Sequence, residues 1–324
     1  MNKKLILELT SWAKNFYPDD FIIEEASVDA SFRSYYRIKS DSDSKIIMNA
    51  PPSKEPLNDF IAITNKLGTA GINVPKIYEI DSKKGYILMS DFGNNKYLDA
   101  LNKDTVYCLY TDAIDVIYAM QTNTDITDLM IFNQAEQLKE IELFNDWFIH
   151  KHLNKKNNAE EEEFFNECII DLCSSISKIP CKFMHRDFHS RNLMVLEEVN
   201  PGVLDYQDAL IGPITYDLVS LLKDCYIKWD DETIYKMTKS FYQKIKSSVA
   251  FTYDEFEYWF DITGVQRHLK AIGIFSRLNY RDGKSAYMKD IPRTYSYIQD
   301  VLIKYKSMNN LRIFLDRKNI QENM

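Results

Sequence analysis

Apolar runs of strand length are gathered before residue 91, and helical periodicities fill most of the chain beyond it. That order restricts the fold more than any other feature, because strands at one end and helices at the other give an α+β fold rather than alternating units. Residues 1–17 read as a helix with Leu5, Leu9, Trp12, Ala13 and Phe16 on one stripe. Phe21-Ile22-Ile23, Tyr35-Tyr36-Arg37-Ile38 and Ile46-Ile47-Met48 then read as three antiparallel strands, bounded by Asp29-Ala30-Ser31 and Asp41-Ser42-Asp43. Pro51-Pro52 ends the third. Pro56 opens a helix that runs to Ala70 and stops at Gly71. Two further strands, Lys76–Ile80 and Tyr86–Ser90, flank the turn Asp81–Gly85. Helices are expected over 104–121, 135–152, 159–178, 231–248, 254–277 and 292–306. One interruption, residues 182–217, holds short β-like runs and most of the polar chemistry. The joint at Ser90-Asp91-Phe92-Gly93 divides a small antiparallel β-rich lobe, 1–92, from a larger helical lobe, 93–324, with a cleft expected between them.

Composition excludes several functions. With 324 residues, 45% of them apolar, the chain buries a full core and is not disordered. A net charge of −8 without a basic run argues against a nucleic-acid binder. Glu8 interrupts the apolar stretch Leu5-Ile6-Leu7, and no window approaches the ~18 apolar residues of a membrane span, so a cytoplasmic protein without a membrane partner is expected. The five cysteines form no C-x-x-C pair, which fits a reduced compartment and disfavours zinc.

The chemistry concentrates in Met184-His185-Arg186-Asp187-Phe188-His189-Ser190-Arg191-Asn192, which has the H-R-D-x-x-x-x-N spacing of a kinase catalytic loop. Asp205 follows an apolar run thirteen residues after Asn192, where a kinase carries its second metal-binding residue. Phosphoryl transfer needs a carboxylate beside the acceptor hydroxyl and oxygen ligands for Mg²⁺ among the phosphates of ATP. Asp187 is the candidate for the first, Asn192 and Asp205 for the second. The change from strand to helix pattern at Met89, Ser90, Asp91 and Phe92 leaves exposed backbone there, the expected seat of adenine.

This cluster resembles the aminoglycoside phosphotransferase and choline kinase superfamily, relatives of the protein kinases. Within it the chain is most similar to the bacterial anomeric kinases of N-acetylmuramate and N-acetylglucosamine, which serve cell-wall recycling. Asp29-Ala30-Ser31-Phe32-Arg33, Ala50-Pro51-Pro52, Gly71–Pro75, Gly202–Ala209, Gly212–Leu218, Gln266–Lys270 and Arg281–Lys284 carry the likeness beside the loop. It implies a protein-kinase-like two-lobed fold, ATP and Mg²⁺ as cofactors, and a sugar acceptor phosphorylated at its anomeric hydroxyl. Ser31, Phe32, Arg33 and Asn49 are implied in nucleotide binding, and Asp217 as a prop for the catalytic loop. The acceptor wall is implied in residues after Asp187 and in 254–284, with Arg191, Asp208, Arg267 and Lys270 as candidates.

Two departures from kinases stand out. No glycine precedes Gly68, so Asp29–Arg33 replaces the glycine-rich loop, and Asn49 stands where the third strand would carry lysine. Arg33, Arg37 or Lys39 would have to pair the phosphates instead. Gln266, Arg267 and Lys270 lie off the stripe Val265, Leu269, Ile272 and Phe275, facing either cleft or solvent. A cationic acceptor such as an aminoglycoside, and a catalytically dead nucleotide-binding scaffold, are the competing functions. Gly283-Lys284-Ser285 lacks the leading glycine of a P-loop, and His150 and His152 point apart on a helix.

Overall fold

The computed structural model describes residues 3–17, 20–28, 33–41, 43–248 and 250–321. Contacts divide the chain into two compact units, Met1–Asn95 with Met194–Asp208, and Lys96–Leu193 with Ala209–Met324.

The first unit contains α1 (Lys3–Ala13), β1 (Ile22–Val28), β2 (Ser34–Lys39), β3 (Ser44–Asn49), α2 (Leu57–Thr69), β4 (Ile77–Asp81) and β5 (Tyr86–Ser90). Among the described residues the strands form one antiparallel sheet in the order β1-β2-β3-β5-β4. Alternation explains why β3 and β5 read as continuous apolar runs. Ile47, Tyr86 and Leu88 meet Leu9, Trp12 and Ala13 of α1 on one face, and Met48, Ile87 and Met89 are buried on the other. The turn into β5 needs Gly85: its φ is +77°, and a Cβ there would lie 1.9 Å from the Ala50 carbonyl oxygen.

The second unit contains α3 (Tyr97–Ala100), α4 (Val106–Asn123), α5 (Gln134–Leu143) and α6 (Ala159–Ile176). After β6 (Cys181–Met184) the chain enters the catalytic loop. β7 (Leu193–Met194) and β8 (Gly202–Val203) form a short ribbon, most of it in the first unit. β9 (Leu210–Pro213) returns antiparallel to β6. Then come α7 (Tyr216–Leu222), α8 (Asp231–Ile245), α9 (Tyr253–Asp282), α10 (Ile291–Lys304) and α11 (Asn309–Arg317). No described helix is long and apolar enough to cross a membrane.

α9 organises this unit. A Thr252–Glu255 capping box starts it, and Gly283, at φ +68°, ends it. Every residue from Asp261 to Lys270 is buried. This corrects the solvent-facing alternative for Gln266, Arg267 and Lys270: a helix enclosed on all sides has no polar face to offer. A second correction concerns residues 135–152. The α-helix stops at Leu143 and continues as a wider π-helix over Phe144–His152. The break falls where α9 comes closest, for a Cβ on Gly273 would stand 2.4 Å from the Leu143 carbonyl carbon.

Candidate active site

The catalytic loop is fixed by two buried carboxylates of the second unit. Asp217, in the first turn of α7, accepts from the His185 amide at 2.8 Å and the Arg186 amide at 3.0 Å. Asp224 accepts from the Ser190 amide at 2.9 Å and the Ser190 hydroxyl at 2.6 Å. Within the loop the Asn192 side-chain amide donates to the Asp187 carbonyl at 3.0 Å, and the Asn192 main-chain amide to the His189 carbonyl. Arg186 is held at φ +78°, a conformation that costs on the order of 1–3 kcal/mol outside glycine. The paired amides on Asp217 over-determine it. Burial pushes the Asp217 carboxyl up to about 7, against the pull of those amides.

Asp187 lies on the wall of a cavity of about 100 Å³, with His189, Cys225, Tyr226, Arg267, Lys270, Ala271, Ile274 and Phe275. Burial would raise its carboxyl, but Lys270 first, then His189, Arg267 and Arg186, pull it well below the usual carboxylate range. His189 is itself pushed down by burial, so near neutrality the effective charges are Lys270, Arg267 and Arg186. Asp187 is thus held ionised, suited to orienting a hydroxyl by accepting its hydrogen bond rather than to acting as a strong base. Lys270 ion-pairs with Glu140 at 3.2 Å and reaches the Tyr216 hydroxyl at 3.4 Å. Arg267 is poorly paired: its nearest acceptor is the Cys225 sulfur at 3.7 Å, and its Nε has no hydrogen-bond partner among the described residues. Arg191 stacks over Tyr226 at 4.6 Å and Tyr287 at 5.3 Å, one residue removed from the cavity lining.

In the first unit, Asp205 sits at φ +63° and accepts from the Gln207 amide at 3.0 Å, which also reaches Asp208 at 3.1 Å. Tyr206, between them, is anchored to α2 by the Thr64 hydroxyl at 2.9 Å and by stacking on Phe60 at 5.3 Å. Arg33 is buried, pairs with Glu55 at 2.9 Å and feels the charge of Asp205 and Asp208. Asn49 donates to Ser34 at 3.1 Å. Ser31 and Phe32 lie outside the described residues.

The structure withdraws one of the three candidates for pairing phosphates. Arg37 is fully engaged: it donates to both Asp91 oxygens at 2.5 and 2.9 Å, to Asn94 at 2.8 Å and to the Gly93 carbonyl at 3.0 Å. The Asp91 side chain is therefore a latch partner and is not left to meet a base, and the Ser90 amide already donates to the Lys76 carbonyl. Lys39 pairs with Glu24 at the surface.

An asparagine carbonyl and an aspartate carboxylate are each, taken separately, oxygen donors of the kind a hard cation takes. The Asn192 amide nitrogen is committed to the loop. No group of three or more His, Cys, Asp or Glu fit for a metal occurs among the described residues.

Sequence reasoning missed Glu140, His189, Asp224, Cys225 and Tyr226. Only Asp224 left a signal: it stands seven residues after Asp217, just beyond the apolar run of α7.

Residues 22–259 match the model of the phosphotransferase enzyme family. An N-acetylmuramate/N-acetylglucosamine kinase of Neisseria meningitidis serogroup B is 36% identical over 318 residues, covering 95% of this chain and 94% of the relative. A protein of the same name from Pseudomonas aeruginosa is 34% identical, with 94% of each chain covered. A choline kinase from Streptococcus pneumoniae has a similar structure, with a TM-score of 0.68 at 12% identity, covering 94% of this chain and 100% of its own. At that identity the likeness speaks for the fold alone.

Proposed function

The chain belongs to the phosphotransferase enzyme family, and from that premise we propose that it is an ATP-dependent kinase of N-acetylmuramate and N-acetylglucosamine, acting at the anomeric hydroxyl in the cytoplasm. The observation that carries the choice of acceptor is local charge. Asp187 shares its cavity with two buried cations, Arg267 and Lys270. A polycationic aminoglycoside would meet two like charges there, whereas the carboxylate of N-acetylmuramate meets two opposite ones. The net charge of −8 does not alter this, because the field at one pocket is set by its nearest groups.

In this reading Asp187 accepts the hydrogen bond of the acceptor hydroxyl and aligns its oxygen for attack. The proton leaves late, as a loose phosphoryl-transfer transition state allows, so a weakly basic carboxylate suffices. Arg267 and Lys270 recognise the acceptor, with Arg191 behind them and Asp208 as a further acceptor residue. Arg33 takes over the pairing of phosphates from the missing strand lysine. The backbone of Met89–Asp91 receives adenine, and Asn49, Ser31 and Phe32 complete the nucleotide's surroundings. Asn192 and Asp205 would hold Mg²⁺, which when bound supplies charge neutralisation to the phosphates.

Release of ADP, measured with ATP and a panel of sugars and aminoglycosides, tests the proposal. Turnover is expected with both N-acetyl sugars and none with aminoglycosides. Turnover of aminoglycosides alone would replace the acceptor, and none with any hydroxyl compound would favour the inactive scaffold.

A further inference from the structure

Glu140 lies on α5, outside the cavity lining, and nothing in the motif pattern points to it. It is nonetheless buried and gathers three donors from two other elements. Arg186 of the catalytic loop and Lys270 of α9, the latter at 3.2 Å, share one of its oxygens, and the Gln266 side-chain amide takes the other at 3.1 Å. The packing of α5 on α9 makes this possible. Gly273 admits the backbone of Leu143 and Phe144, and three residues earlier on each helix Glu140 meets Lys270. We propose that Glu140 is a positioning residue for the acceptor site: it holds Lys270 on the wall it shares with Asp187 and keeps it from closing onto that carboxylate. This rests on the kinase reading above.

The charges around Lys270 support the assignment. Glu140 faces it from α5, Arg186, Asp187 and His189 from the catalytic loop, Tyr216 from α7, Cys225 and Tyr226 from the segment after α7, and Arg267 from its own helix. Glu140 and Asp187 are the two anions that hold its proton against burial, together with the Tyr216 hydroxyl. A buried ion network adds little stability over apolar packing of the same volume. This one joins the loop that carries Asp187 to the helix that carries both cavity cations. Without the Glu140 charge, Lys270 keeps Asp187 as its main counter-ion and turns to it. Asp187 then accepts from the lysine instead of from the acceptor hydroxyl.

Full-length protein with ¹³C-labelled lysine side chains tests this, the Lys270 signal being identified by its loss in Lys270→Met. In the wild type Lys270 should keep its proton past the ordinary lysine value of about 10.4. Glu140→Gln should bring its titration down by ~1 pH unit or more. The same variant should lose roughly 10–100-fold in kcat for the N-acetyl sugars, with the KM for ATP unchanged. Glu140→Asp, which keeps the charge on a shorter arm, should regain most of both, and carries the test alone if Glu140→Gln does not fold. An unmoved Lys270 titration together with an unchanged kcat in a folded Glu140→Gln variant overturns the proposal. So does a loss of kcat that tracks melting temperature alone and is equal in the two variants. If the wild type phosphorylates neither sugar, the kinase reading fails by itself, and the lysine titration still decides whether Glu140 governs Lys270.

Discussion

Two buried arginines, one in each unit, show opposite uses of the same side chain. Arg37 in β2 has every nitrogen of its guanidinium engaged, across Asp91, Asn94 and the Gly93 carbonyl. Arg267 in α9 is as deeply buried, yet it has one weak sulfur contact and an Nε without a partner among the described residues. Buried polar groups are ordinarily satisfied, and an exception needs a reason. For Arg37 the satisfied fork is itself the function, a latch that fixes the segment leaving the sheet. Arg267 borders a cavity, and under the function proposed above an acceptor bound there would supply the missing partner. In the sequence the two look alike, and Arg37 is a candidate for the phosphates. What separates them is whether the fold has already used the donors.

The comparison can be broken from either side, beginning with the anion that the cavity cations face. Asp187→Asn keeps the size of the side chain and removes the charge that Lys270, Arg267 and Arg186 stabilise. It is expected to lower kcat by ~10²–10⁴ while the KM for ATP stays within a fewfold. Steady-state kinetics with N-acetylglucosamine decides this, and near-normal turnover would leave the cavity without its central group.

On the other side, Arg37→Met takes the counter-charge from Asp91, whose side chain is 4% exposed and keeps the Ser44 hydroxyl and the Gly93 amide as donors. Leaving one buried partner unpaired costs ~3 kcal/mol or more, to be read from urea unfolding. The KM for ATP should rise, because the latched segment carries Met89–Asp91, while kcat at a permissive temperature holds. A variant as stable as the wild type would mean that the latch is not structural.

A smaller effect separates the loop prop from the cavity. Asp217 has its carboxyl raised to about 7, chiefly by burial. Below that pH the carboxyl gains a proton and one oxygen stops accepting from the loop, so kcat should fall about tenfold per pH unit there. The stability contribution has the opposite sign. The folded state binds the extra proton between the ordinary carboxylate value and about 7, so stability from this group is greatest at low pH and is lost as pH rises through about 7. Asp217→Asn should lower kcat and abolish the acid limb. A limb that persists in this variant belongs to another group.

Much of the molecule was legible because its signals are local. Five strands, α2, and the long helices emerged from runs, periodicity and caps. The spacing of Asp187, Asn192 and Asp205 carried the reaction class. The remainder depended on what only the fold brings together. Burial of Gln266, Arg267 and Lys270 was hidden because α9 is enclosed on all sides, which removes the amphipathic stripe that would have reported it. The latch of Arg37 on Asp91 and the grip of Glu140 on Lys270 join residues far apart in the chain, for which no spacing rule exists. The π-helix after Leu143 is set by the approach of Gly273, again from a distant element. α11, whose buried stripe is Leu311, Phe314 and Leu315, was missed because its other positions are strongly polar.

The central claim is that Arg267 is kept under-paired for the charge of the acceptor. The ratio of kcat/KM for N-acetylmuramate to that for N-acetylglucosamine, measured in the wild type and in Arg267→Ala, tests it most directly. One charge-assisted hydrogen bond is worth ~1.5 kcal/mol or more, so the ratio should fall about tenfold, through loss with N-acetylmuramate alone. Equal losses with the two sugars, leaving the ratio unchanged, would contradict the account.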